Sequence, residues 1–149
     1  MPNSPDSPTT SAVPVLLQGW CDLWGVGDLA PQISVEISSR MTRSLGRAYP
    51  DRKLIRIARF VSEESDELFQ EVLCHEAAHV AARRIHGRSI RPHGPEWKRL
   101  IQAAGYPPSV RYRGAALPKM PARARRRRVK ATYLERLQTA LLRKLRALP

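Results

Sequence analysis

The stretch from Ser62 to Gly87 reads SEESDELFQEVLCHEAAHVAARRIHG, and its spacing decides the fold. Leu68, Phe69, Val72, Leu73, Val80 and Ile85 recur at helical intervals, which predicts one long helix. Ser62 is the expected N-cap, with Glu63, Glu64, Asp66 and Glu67 at the positive end of the helix dipole. Arg83 and Arg84 suit the negative end, and Gly87 is the expected stop. Inside this helix, His75-Glu76-Ala77-Ala78-His79 sets two imidazoles on one face, one turn apart. Such a pair can converge on one Zn²⁺ at Zn–N distances of about 2.0–2.1 Å. Glu76 lies one step round the helix, placed to reach a water at the metal and take its proton as that water attacks a carbonyl. The five-residue pattern also arises by chance, as two surface histidines around a helix-favouring Glu. The apolar residues around it here are the setting the chemistry needs.

A catalytic zinc takes a third protein ligand and keeps one position open. A histidine six residues after His79 would fall at Ile85, so that arrangement is absent. His86 shares the helix face, but seven residues of helix rise about 10.5 Å, beyond ligand reach. His93 follows the Gly87 stop, where the chain can turn back, and it sits between Pro92 and Pro95 just before a new helix. It is the expected third ligand, with Glu96 as the carboxylate alternative.

Outward from this helix, Ile33, Val35 and Ile37 alternate with polar residues, the period of a half-buried strand. Arg43 to Tyr49 reads as a second strand, weakened by Gly46. Leu54, Ile55 and Ile57 read as a third that ends near Phe60, after a turn at Pro50-Asp51. Three short consecutive strands predict an antiparallel meander. Leu16, Trp20, Leu23 and Trp24 predict a short N-terminal helix ended by Gly25 and Gly27, and Trp97, Leu100 and Ile101 a helix stopped by Gly105. The expected fold class is therefore α+β, a small zincin-like domain over residues 13–113. A disordered Pro/Ser/Thr-rich leader over 1–12 precedes it, and a basic linker and helix over 114–149 follow.

At 149 residues the chain can bury a core without disulfides, and two cysteines, Cys21 and Cys74, exclude a disulfide framework or a four-cysteine zinc ribbon. The N-terminus has no basic segment ahead of an apolar run, and Val13 to Leu17 is too short to span a bilayer, so the expected location is the cytoplasm, with nucleoid association.

His75-Glu76-Ala77-Ala78-His79 followed by His93-Gly94-Pro95-Glu96-Trp97 resembles the SprT-like metallopeptidases, which include the eukaryotic protease Spartan. Trp20 to Trp24, the Ile33 to Ile37 strand, Gly46 and the Ile55 to Phe60 strand fall where that family has its first helix and sheet. The resemblance covers roughly residues 15–106. It implies zinc ligation by His75, His79 and His93, catalysis by Glu76, and cleavage of proteins bound or crosslinked to DNA. The chain departs from many members in one respect: no cysteine follows Cys74, so DNA recognition by a zinc ribbon is not expected.

The net charge of +13 is concentrated at one end. Residues 119–149 hold 11 basic side chains and one acid, a net +10. Arg123, Arg125, Arg126, Arg127 and Arg128 form a dense cluster. Leu134, Leu137, Leu141, Leu145 and Leu148 then mark one stripe of an amphipathic helix. Phosphate contact with nucleic acid is the leading expectation for this segment. The other readings are an anionic membrane surface and a helix packed on its own domain. The expected activity is zinc-dependent hydrolysis of peptide bonds in protein substrates. The rival is a non-catalytic, zinc-containing DNA-binding or interaction protein, against which the intact Glu76 argues.

Overall fold

The computed structural model describes residues 11–108. Almost all of the leader, the arginine cluster and the leucine-striped segment lie outside the described residues. In order come helix α1 (Val13–Leu23), a 3₁₀ turn (Gly27–Gln32), strand β1 (Ser34–Ser38), strand β2 (Gly46–Tyr49), a second 3₁₀ turn (Pro50–Arg52) and strand β3 (Leu54–Ala58). Helices α2 (Arg59–Glu64), α3 (Asp66–His86) and α4 (Pro95–Ala103) follow.

The α+β class is as expected, but the sheet is not a meander. Its order is β1-β3-β2, with β2 antiparallel to β3 and β1 parallel to it. Period-two alternation identifies strands and is blind to their order. The signal lay in the connections. The short turn at Pro50–Arg52, closed by Lys53 at φ 48°, fits a hairpin between β2 and β3. The longer segment between Ser38 and Gly46 carries the chain past β3 to its far edge, a step of about 10 Å for strands about 4.8 Å apart.

The helix boundary also moves. Ser62 donates its hydroxyl to the Arg59 carbonyl within the short α2. The chain breaks at Ser65, which is extended at φ −163°, and its Oγ accepts the Leu68 N–H at 3.1 Å, capping α3. A serine three residues on from the expected cap offered the same chemistry, and sequence alone could not choose between them. β2 begins at Gly46 rather than Arg43, and β3 stops at Ala58, where α2 begins. The core face of α1 is rotated as well. Val13, Leu17, Trp20, Cys21 and Trp24 are buried, while Leu23 is 56% exposed.

α3 is the centre of the molecule. Every residue from Val72 to Ala78 is buried, including His75 and Glu76. The inner sheet face (Val35, Ile37, Ile55, Ile57), the buried side of α1, and Trp97 and Ile101 of α4 join it in one core. The Trp24 indole donates to the Leu100 carbonyl at 2.9 Å, tying α1 to α4. Among the described residues no helix is long and apolar enough to cross a membrane.

Candidate metal centre

α3 carries His75 and His79, and the loop beyond Gly87 brings His93 to them. The three Nε2 atoms face one another, 3.1 Å apart for His75 and His93, 3.3 Å for His75 and His79, and 2.8 Å for His79 and His93. Nitrogens held tetrahedrally at 2.0–2.1 Å from one centre lie about 3.3–3.4 Å apart. The set therefore fits a shared cation with adjustments of a few tenths of an ångström. A neutral imidazole has a single N–H, so three converging Nε2 atoms cannot satisfy one another by hydrogen bonds, whereas one Lewis acid satisfies all three. Burial holds the rings in the neutral form that a ligand needs. His75 is lowered well below its usual pKa, His79 to about 3 and His93 to about 4, with the neighbouring imidazoles adding to the effect at His75 and His79.

The loop is shaped for this delivery. His93 has φ 61°, a left-handed conformation that costs a non-glycine residue about 1–2 kcal/mol and is retained where the surroundings demand it. The Gly94 N–H donates to the Arg91 carbonyl at 2.9 Å, and a Cβ at Gly94 would meet that same oxygen and Glu96 Oε2 at 2.9 Å each. Pro95 then opens α4, whose Trp97 is 1% exposed. The Trp97 indole N–H donates to the His75 carbonyl at 3.2 Å, and its ring centroid lies 4.6, 5.5 and 4.7 Å from those of His75, His79 and His93. One side chain thus fixes the helix backbone and walls all three imidazoles. His86 is exposed at the end of α3, and neither it nor Glu96 joins the set.

Glu76 is 2% exposed, and its Oε1 has no hydrogen-bond partner among the described residues. Burial pushes its carboxyl up to about 8, against a hydrogen bond from the Ala48 backbone amide and the pull of the Arg47 guanidinium. A cation at the three histidines supplies an opposite charge, which favours the ionised form. The approach of β2 to Glu76 depends on Gly46. A Cβ there would meet Val72 Cγ1 at 2.8 Å, Glu76 Cγ at 2.9 Å and Glu76 Oε1 at 3.0 Å. Gly46→Ala is therefore expected to lower stability by about 1–3 kcal/mol through overpacking. It should leave the metal-binding capacity of the three histidines unchanged, since none of them touches Gly46. Denaturant unfolding and metal analysis of the same preparation test this, and unchanged stability would refute the packing argument.

The sequence marks Trp97 as an apolar helix residue and as part of the His93–Trp97 motif, and neither reading foresees its contacts with the histidines. For Gly46 a signal existed, since a glycine inside a strand pattern marks a close backbone approach.

The SprT-like family model matches residues 18–117. Among curated proteins, the chain is similar to Protein SprT of Pseudomonas aeruginosa, 37% identical over 65 residues, which are 42% of this chain and 39% of that protein. It is also similar to Protein SprT of Vibrio parahaemolyticus, 34% identical over 62 residues (41% and 37% of the two chains), and to that of Pseudomonas fluorescens, 29% identical over 73 residues (48% and 43%). These matches span about two-fifths of the relatives' own length. No solved structure matches. The family model covers α3, the His93 loop and α4, the elements that converge on the three histidines, and on that match the chain belongs to the SprT-like family.

Proposed function

We propose that this chain is a zinc-dependent metallopeptidase that hydrolyses peptide bonds in protein substrates, including proteins bound or crosslinked to DNA. The observation that carries the reading is the convergence of three neutral imidazoles beside a buried carboxylate one residue along from His75. His75, His79 and His93 hold the metal. When bound, zinc supplies a Lewis acid that acidifies water and polarises a carbonyl. Glu76 takes the proton from the attacking water through its unpartnered oxygen and returns it to the leaving amine. The Ala48 amide holds that carboxylate by a hydrogen bond, and the more distant positive charge of Arg47 favours its ionised form. Trp97 keeps the rings oriented. The test incubates zinc-loaded protein with a DNA-binding protein substrate, with and without DNA, beside a Glu76→Gln control. Cleavage by the wild type alone supports the reading. Inactivity of both across substrates and metals would favour a non-catalytic, zinc-containing DNA-binding or interaction protein.

The DNA part of the reading rests on the basic segment, with Arg123, Arg125, Arg126, Arg127 and Arg128 contacting phosphates. Removal of residues 119–149 takes away +10 of the net charge and none of the three histidines. The shortened protein is expected to keep its metal and to lose most of its DNA affinity. The log–log salt slope should become shallower by about 0.9 for each duplex phosphate that is no longer neutralised. An unchanged affinity and slope, measured by fluorescence anisotropy, would remove the segment from DNA binding.

A further inference from the structure

On the sheet face turned away from α3 lies a second feature, unrelated to the histidines. The register sets Arg47 opposite Arg56, and Arg56 opposite Glu36, in one row across all three strands. Glu36 engages only one of these arginines, accepting from Arg56 Nε at 2.7 Å. The Arg56 guanidinium also lies 5.4 Å from the centre of the Tyr49 ring, a cation–π contact that fixes its direction. Like charges directly opposite on neighbouring strands are destabilising, so Arg47 beside Arg56 is an unbalanced pair.

The segment between β1 and β2 adds to this imbalance. It is anchored in the core by Leu45, which is 1% exposed and whose carbonyl accepts the Ala58 N–H at 2.9 Å, and by the partly buried Met41. Between and beside these anchors it carries Arg40 and Arg43. Together with the sheet face it forms a concavity of about 690 Å³, lined by Arg40, Arg43, Arg47, Arg56 and Tyr49, by hydroxyls such as Ser38, and by one carboxylate, that of Glu36, which is already paired with Arg56. Among the described residues, no carboxylate lies within ion-pair distance of Arg40, Arg43 or Arg47.

Guanidinium forks surrounded by hydroxyl donors are the chemistry that binds phosphate oxygens. The groove is too large for a single inorganic anion, and its arginines are spread over two strands and a loop, which suits successive phosphates of one nucleic-acid strand. We infer that this groove binds the phosphodiester backbone of nucleic acid, on the face opposite the metal centre and separately from the C-terminal basic segment. The contact is to phosphate and sugar, so it positions the protein without reading sequence. It stands whether or not the chain hydrolyses peptides.

The test uses the full-length protein and arginine modification by phenylglyoxal, read peptide by peptide by mass spectrometry. A single-stranded oligonucleotide is expected to protect Arg40, Arg43 and Arg47 at least threefold, in addition to any protection of residues 123–128. Arg40→Ala/Arg43→Ala in the full chain is expected to weaken oligonucleotide binding about tenfold at 0.1 M salt. The log–log salt slope should become shallower by about 0.7 for each single-strand phosphate left without its arginine. Metal content and the unfolding midpoint serve as checks that the variant is folded, and Arg40→Lys/Arg43→Lys should restore most of the binding by keeping the charge. Protection confined to residues 123–128 would overturn the inference. Protection of the groove by inorganic phosphate but not by the oligonucleotide would also overturn it, since the site would then take a free anion.

Discussion

Glu76→Gln is expected to bind metal as the wild type does and to lose peptide hydrolysis by about 10²–10⁴-fold, the range that a positioned general base contributes. Gln is nearly isosteric with Glu, so the packing against Gly46 is preserved. The Ala48 amide keeps an oxygen acceptor. What disappears is a group able to hold a proton between attack and departure of the amine. The three Nε2 atoms are untouched, so metal analysis should still find one ion per chain. Activity that survives in a preparation free of contaminating protease would exclude Glu76 as the base. Loss of metal together with activity would mean instead that the substitution acts on the site's architecture.

His93→Ala is expected to lower metal affinity by orders of magnitude, while His86→Ala leaves it near the wild-type value. Both are histidines close to the end of α3, which makes the pair a sharp comparison. His93 Nε2 lies 2.8 Å from that of His79 and 3.1 Å from that of His75. His86 is exposed, outside the cluster. Removing His93 leaves two ligands on one helix turn, one fewer than the three protein ligands that hold a catalytic zinc. Ala keeps the Cβ and with it the left-handed strain at φ 61°, so the metal-free variant is expected to be slightly less stable than the metal-free parent, by the lost packing of the His93 ring on Trp97. Isothermal titration with zinc, and thermal unfolding with and without chelator, measure both quantities. Equal metal affinities for the two variants would undo the ligand assignment.

What could be read in advance follows the range of the interactions involved. The long helix, its pair of histidines and the Gly87 stop are local patterns with a period of 3.6, and each was legible. So was the gathering of His93, and not His86, with that pair, because helix rise is fixed geometry. Sheet order was not legible in the strand patterns, since β1 could pair with either neighbour without changing which residues face inward, and only the connection lengths carried it. Nor was the capping serine, because Ser62 and Ser65 are chemically alike and only tertiary packing of α2 separates them. Trp97 shows the same limit. Its spacing marked it as buried, and nothing in the sequence assigned its N–H to the His75 carbonyl.

All three histidines come from one stretch, 75–93, and the wider step within it, from His79 to His93, spans 14 residues. The partner strand of Glu76 enters from about 28 residues upstream, at Ala48. Closing the short span costs little chain entropy, whereas docking β2 costs more and depends on the sheet being paired. A metal ion at the three histidines would therefore tie together elements that are neighbours in sequence, and it would stabilise the α3–α4 corner against which the sheet packs.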